Sequence, residues 1–321
     1  MSIKIPFLKH VSLKERAFFA RQLSIMLSSG VTLVQSLQSF AAQTKNHYFR
    51  EVLAKVASNV EEGVSLSEAT RAEPRVFSPL FTNVVHSGET SGKLDMVLTD
   101  LAGELEQESD FGSAVKRALV YPIFIIIVMI AIAFIMMIKV IPALSSVFAE
   151  SGAELPLSTR ILLSISGFAQ NYWWTLLIFV VLLVILARYL MTTPEGRLFI
   201  DRLLLLDPFG LNKNVYMTRF ARTLSLLVSA GVPIVESVHT ASQVVGNRVY
   251  QKSLRRVADE LERGIPLSSA LERETHFPPL VSQMAGVGEQ TGKLDLTLAK
   301  LADYFSNETR GKIAVLTSLL E

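Results

Sequence analysis

Apolar residues recur mostly at helical spacing along this chain, and the residues between the runs fix where each helix begins and ends. Ser12-x-x-Glu15 has the form of a capping box, and the run behind it places Phe18, Leu23, Leu27 and their neighbours on one helical face. Gly30 predicts the end of that helix, where a left-handed residue is wanted. Thr32-x-x-Gln35 predicts a second box and a helix to about Ala42, and Asn46 caps a third that Gly63 stops after Glu62. Ser65-x-x-Glu68 opens a short fourth, and Ser78-Pro79 starts a fifth with proline at its first position. A sixth begins after Gly92, with Asp95 in its first turn, where a carboxylate favours the helix dipole. No stretch alternates with period two for long enough to predict a strand. The expectation for residues 12–117 is a six-helix antiparallel bundle.

The same pattern returns about two hundred residues later. Gly88-Glu89-Thr-Ser-Gly92-Lys93-Leu94-Asp95 is matched by Gly288-Glu289-Gln-Thr-Gly292-Lys293-Leu294-Asp295. Phe19-Ala20-Arg21 recurs as Phe220-Ala221-Arg222, Ser29-Gly30-Val31 as Ala230-Gly231-Val232, and Phe77-x-Pro79-Leu80 as Phe277-x-Pro279-Leu280. Residues 215–321 therefore predict a second bundle: Gly231 ends a helix, Pro233 starts the next, Asn247 caps the third and Gly264 ends it, and Pro266 and Pro279 open the fourth and fifth.

Between the copies lies a different kind of sequence. Ala118 to Ile138 is uncharged, enough at about 1.5 Å per helical residue to cross a hydrocarbon core of roughly 30 Å. A second uncharged run spans Ile161 to Ala187, with Ser158 as N-cap and Tyr172-Trp173-Trp174 as a candidate aromatic belt. These runs predict transmembrane helices at 118–141 and 161–190, joined by a short extracytoplasmic connection at 142–160. Lys116, Arg117, Arg188, Arg197 and Arg202 flank the outer ends, whereas Glu150 and Glu154 are the only charges from Pro142 to Leu157. The positive-inside rule then puts both bundles in the cytoplasm. Residues 191–214, with Pro194, Pro208 and Gly210, predict a linker riding the membrane surface. By register Glu321 aligns with Tyr121, so the sequence stops where a further span would begin.

Composition agrees with a chain partly in lipid: hydrophobic residues make up 50%, charged residues 19%, and the mean hydropathy is +0.39. A net charge of +2, without a basic run, does not suggest nucleic acid. The absence of cysteine excludes disulfides, thiol chemistry and thiolate metal sites. Residues 1–14 lack the apolar core of a cleavable signal peptide.

Gly92-Lys93 and Gly292-Lys293 look like the end of a phosphate-binding loop, but Ser87 and Val287 occupy the first-glycine positions and Leu94 and Leu294 replace the required hydroxyl. A helix–turn–helix corner accounts for these residues instead, with glycines permitting the turn and Asp capping the next helix. Glu89 and Glu289 either bond backbone amides at the corner or present a carboxylate to a partner. Arg21 and Arg222 invite the same two readings, the local one being a bridge to acidic groups inside each bundle. Asp100, Glu104 and Glu108 form an acidic stripe that the second copy replaces with Lys300, Tyr304 and Glu308. That asymmetry suggests two related domains facing different partners; cation binding is the weaker reading of the stripe. The five histidines show no metal-ligand spacing, and no catalytic constellation, cofactor site or metal site is expected.

These residues resemble the inner-membrane platform family shared by type II secretion (the F proteins) and type IV pilus assembly (the PilC-like proteins). The resemblance rests on Ser29-Gly30-Val31, Ala230-Gly231-Val232-Pro233, both Gly-Glu-x-Ser/Thr-Gly-x-Leu-Asp motifs and Tyr121-Pro122. Leu155-Pro156-x-x-Thr159 and Thr193-Pro194-x-Gly196-Arg197 add to it, and the likeness covers nearly the whole chain from about residue 15. It implies an all-α membrane protein in which two repeated six-helix bundles are joined through two transmembrane helices. The third span usual in the family is absent from this chain, as in a truncated chain or a true two-span variant. Also implied are a non-enzymatic scaffold in the bacterial inner membrane and coupling of a cytoplasmic hexameric assembly ATPase to pilins or pseudopilins. Other inner-membrane assembly proteins and further copies of the chain would be partners too. The rival classes are a small repeat-built transporter, disfavoured by the lack of charge within either span, and a nucleotide-binding membrane protein.

Overall fold

Ser12 opens the first helix as a reciprocal capping box: its side chain accepts from the Glu15 amide, and the Glu15 carboxylate accepts from the Ser12 amide at 2.8 Å. The computed structural model describes residues 10–140, 174–175, 178, 181–186, 188–190, 192–207 and 210–320. The expected connection at 142–160, the Tyr172-Trp173 pair, Pro208 and most of the second apolar run lie outside the described residues.

Six helices lead the chain: α1 (Leu13–Ser28), α2 (Leu33–Gln43), α3 (His47–Glu61), α4 (Leu66–Arg71), α5 (Pro79–Ser91) and α6 (Leu94–Ile135), the last followed by a π-helical turn at Met136–Val140. Then come α7 (Pro194–Leu205), α8 (Leu211–Ser229), α9 (Ile234–Val244), α10 (Arg248–Glu262), α11 (Leu267–Glu272), α12 (Pro279–Thr291) and α13 (Leu294–Leu320). The described residues are helical and contain no strand. Helices α2 to α5 contain 11, 15, 6 and 13 residues, and α9 to α12 repeat those four lengths in the same order. Thr32 caps α2 through the Gln35 amide, Asn46 caps α3 through the Phe49 amide, and Asn247 caps α10 through the Val249 amide. Pro233 and Pro266 stand one residue before their helices, at the cap, while Pro79 and Pro279 occupy the first turn. Residues 194–205, expected within a linker, form a helix because Pro194 can start one and apolar positions recur behind it.

Two compact units divide the chain: Met1–Val115 with Leu204–Lys312, and Lys116–Leu203 with Ile313–Glu321. In the first, Phe19 is fully buried among Phe40, Phe49, Phe77 and Phe81, with ring centroids 5.2–6.2 Å away. Phe18, expected on the buried face, is exposed instead. At about 100° per residue it lies about 140° around the helix from Leu23, whereas Phe19 lies about 40° from it. A second core gathers around Phe220, Tyr250 and Phe277, where Tyr250 donates its hydroxyl to the His276 carbonyl at 3.2 Å.

The cores are not independent. Leu226, Leu227 and Val232 belong to the cluster built by α1–α6. Helix α5 packs against α8 and α9, Asn83 donates to the Thr240 hydroxyl at 2.7 Å, and Ser87 donates to the Ala230 carbonyl.

The second unit carries a different surface. Val120, Ile123, Phe124, Met129 and Ile130 are all exposed on α6. Among the described residues no helix is long and apolar enough to cross a membrane. The side chains at 118, 119, 122 and 138, within the apolar run of α6, lie outside the described residues.

The junctions between α5 and α6 and between α12 and α13 leave no room for a side chain. A Cβ on Gly88 would sit 2.2 Å from Val97 Cγ2 and 3.2 Å from Leu94 Cα, and one on Gly288 would sit 2.8 Å from Leu294 Cα. Gly88→Ala is expected to destabilise the protein by about 1–3 kcal/mol through overpacking. Gly288→Ala should cost more, because rigid backbone stands closer there. Denaturant titrations of both variants, and of Gly88→Ala with Val97→Ala, check the assignment: only the Gly88 defect should be relieved by trimming Val97.

Candidate functional site

Each Gly-Glu motif closes a helix and reaches across to another. Gly92 and Gly292 adopt left-handed backbone with φ 69° and 65°, and the following Lys93 and Lys293 amides donate to the Gly88 and Gly288 carbonyls at 2.9 and 3.0 Å. Asp95 and Asp295 sit within the first turns of α6 and α13, two positions past the cap expected for them, where they face the positive end of the helix dipole.

Glu89 does not bond amides at its own corner. Its carboxylate accepts from the Leu66 and Ser67 amides, the second at 3.1 Å, which are the first two N–H groups of α4. Glu289 does the same for α11, accepting from the Leu267 amide, from the Ser268 amide at 3.2 Å and from the Ser268 hydroxyl. A six-residue helix has few internal hydrogen bonds, so a carboxylate on its unsatisfied amides is a strong local restraint.

The acidic stripe and the arginines meet. Arg21 holds Glu106 with two parallel hydrogen bonds, Nε to Oε1 at 3.0 Å and Nη2 to Oε2 at 2.8 Å, entirely within α1–α6. Arg222 makes the bridge of the local reading, lying 3.4 Å from Asp303 of α13, and also lies 3.5 Å from Glu104 of α6. Arg219 lies 3.7 Å from Glu108. Two members of the stripe thus face α8 of the same chain, while Asp100 is exposed. Burial pushes the Glu104 carboxyl up to about 7; Arg222 opposes the shift, and Glu108 and Asp303 add to it. Among the described residues no cluster of three or more His, Asp or Glu side chains is placed to hold a metal ion. The two motifs themselves offer turns and restraints rather than a reacting group.

Sequence reasoning identified the residues of the seam without its partners, because the contact between α6 and α8 joins positions more than a hundred residues apart. The signal in the sequence is the asymmetry of the stripe: Lys300 and Tyr304 stand where the first copy has Asp100 and Glu104.

Two outcomes follow from this geometry. Glu89→Ala removes both acceptors from the start of α4 and should destabilise the protein by about 1–2 kcal/mol, with Glu89→Gln recovering part of the loss, as measured by unfolding in detergent. Glu104 holds its proton in the folded protein up to about 7, against an ordinary 4.5, so its contribution to stability is greatest below 4.5 and falls as pH rises through 7. Glu104→Gln should therefore flatten the stability profile between those pH values, and an unchanged slope would contradict the burial argument.

Comparison with known proteins extends these observations. The sequence model of the family described as type II secretion system (T2SS), protein F, matches twice, over residues 19–142 and 220–321. A type IV pilus assembly protein PilC from Thermus thermophilus is 38% identical, the alignment covering 99% of this chain and 79% of the relative. A type II secretion system protein F from Vibrio cholerae is 32% identical over 96% of this chain and 77% of its own length. A type IV pilus assembly protein PilC from Pseudomonas aeruginosa is 32% identical, with 98% and 84% covered. The double match falls on the same two halves that carry the Gly-Glu corners, and the chain belongs to the type II secretion system protein F family, whose members are structural platform proteins and not enzymes.

Proposed function

We propose that this chain is the inner-membrane platform of a type IV pilus or type II secretion machine, and that it couples a cytoplasmic assembly ATPase to the addition of pilins or pseudopilins. The observation that carries the reading is the double family match, whose first segment takes in the first apolar run and whose two segments flank the second. The halves act as two copies of one helical bundle, a reading supported by the repeated helix lengths and the repeated corners. Residues 118–141 and 161–190 cross the lipid. The uncharged stretch from Ala118 to Ile138 and the apolar side chains exposed along α6 support this, since such a surface is costly in water. Both bundles lie on the cytoplasmic side, as the flanking arginines and lysines favour.

In this role the protein transmits force and supplies no chemistry. The restraints at Glu89 and Glu289 keep each bundle stiff, and a stiff body tilted by an ATPase can push on the membrane helix of a subunit being added.

The test pairs topology with partnership. Alkaline phosphatase fused after Gly152 should be active, and fused after Lys213 inactive. The full chain in detergent should co-purify with the assembly ATPase of its own genome, and deleting its gene should abolish fibre assembly or secretion. An active fusion at Lys213 would overturn the topology. Normal assembly without the protein would overturn the role.

A further inference from the structure

Within the chain, the two halves meet through surfaces that are not equivalent. The second half offers Leu226 and Leu227 from the end of α8, Val232 from the turn after it and Thr240 from α9; the first half receives them against α5. The second core, by contrast, contains no residue of the first half among those described. The contact is therefore head-to-tail, and one copy of each participating surface is left over.

The leftover surfaces can be found by register. Ile25, Met26, Val31 and Ser39 stand where the second half has Leu226, Leu227, Val232 and Thr240. Ile25 is 48% exposed and Val31 36%, against 7% and 8% for their counterparts. Around Gly30 a Cβ would meet nothing within 4 Å, whereas at Gly231 it would meet the Ser87 hydroxyl at 3.9 Å. On the receiving side, Leu80 and Val84 of α5 are buried, while Leu280 and Met284 of α12 are half-exposed. Asn83 and Ser87 are partly covered, while Gln283 and Val287 are exposed. Every one of these positions that docking covers in one half is more open in the other: Ile25, Met26, Val31, Leu280 and Met284 keep apolar character, Gln283 an amide and Ser39 a hydroxyl, while Ser29 replaces Ala230, Gln43 replaces Val244 and Val287 replaces Ser87.

We infer that the Ile25–Met26–Val31 surface of one molecule docks on α12 of a second copy of this chain, repeating between molecules the contact that joins the halves within one. The inference rests on the reading of the halves as copies. The occupant is another copy because the intramolecular contact already shows that these two surface types fit. In the repeated contact the Gln283 amide takes the place of Asn83 and donates to the Ser39 hydroxyl, as Asn83 donates to Thr240. The apolar Val287 lies against the loop at Ser29, which removes one hydrogen bond and makes this contact weaker than the internal one. Because the docking is head-to-tail, it builds rings or open chains of molecules and not a two-fold dimer.

The protein contains no cysteine, so introduced thiols report cleanly. Full-length chains carrying Ser39→Cys, mixed in native membranes with chains carrying Gln283→Cys, should be joined by a short bis-maleimide into a species of twice the 35.5 kDa chain mass. Neither variant alone should give it. Asn83→Cys with Thr240→Cys in one chain is the internal control and should cross-link without a change of mass. Ile25→Asp, at a site exposed in the single molecule, should lower the intermolecular yield about tenfold or more while leaving the control and the melting temperature unchanged. Cross-linking by Ser39→Cys alone would mean a two-fold contact and would overturn the inference. An unjoined mixture beside a positive control would do the same, and a negative control would remove the docking geometry on which it stands. None of these readouts depends on fibre assembly or ATPase binding, so the platform role can fail without this result failing, and the reverse.

Discussion

The first core of this protein is closed by residues that arrive two hundred positions late. Leu226, Leu227 and Val232 complete the cluster around Phe19, and α5 becomes an interior element only when α8 and α9 cover it. Burying three aliphatic side chains contributes on the order of several kcal/mol, a sizeable share of what holds an ordinary domain together. The two halves therefore form one compact unit, although each carries a full set of helices.

Local structure was legible because its causes are local. Ser12, Asn46, Ser65 and Ser78 each place an acceptor on the orphan amides of the helix that follows, and such chemistry can be read from four adjacent letters. The glycines at 30, 63, 92, 231, 264 and 292 all take positive φ, the one conformation in which their lack of a Cβ is required. Errors appeared where the answer depended on what lies across the fold. Phe18 and Phe19 are adjacent and chemically alike, and only the position of the neighbouring helices selects the second for the core.

The motif residues stand out in the sequence, but the groups they contact do not. Glu89 and Glu289 were singled out because a turn does not need them, yet their target is the start of a helix more than twenty residues earlier. Arg21 and Arg222 stand at matching positions of the sequence and differ in their partners: Arg21 pairs with Glu106 of its own half, whereas Arg222 lies beside Asp303 of its own half and Glu104 of the other. Matching letters in the two halves do not give matching surroundings, because only the first core takes in residues from the other half among those described.

That asymmetry also decides which force holds the seam. Glu104 and Arg222 are both largely buried, and an isolated pair of that kind gains less from attraction than it loses in hydration unless its remaining hydrogen bonds are made. Here the Glu104 carboxyl stands near 7, well above its ordinary value, which means that burial together with Glu108 and Asp303 outweighs the pull of Arg222. With attraction and lost hydration opposed in this way, the aliphatic contact is the larger contribution to joining the halves. What the charges add is orientation, since Arg222 and Arg219 must lie opposite Glu104 and Glu108 for those carboxylates to be covered at all. The seam thus takes its strength from apolar contact and its alignment from the placement of charges.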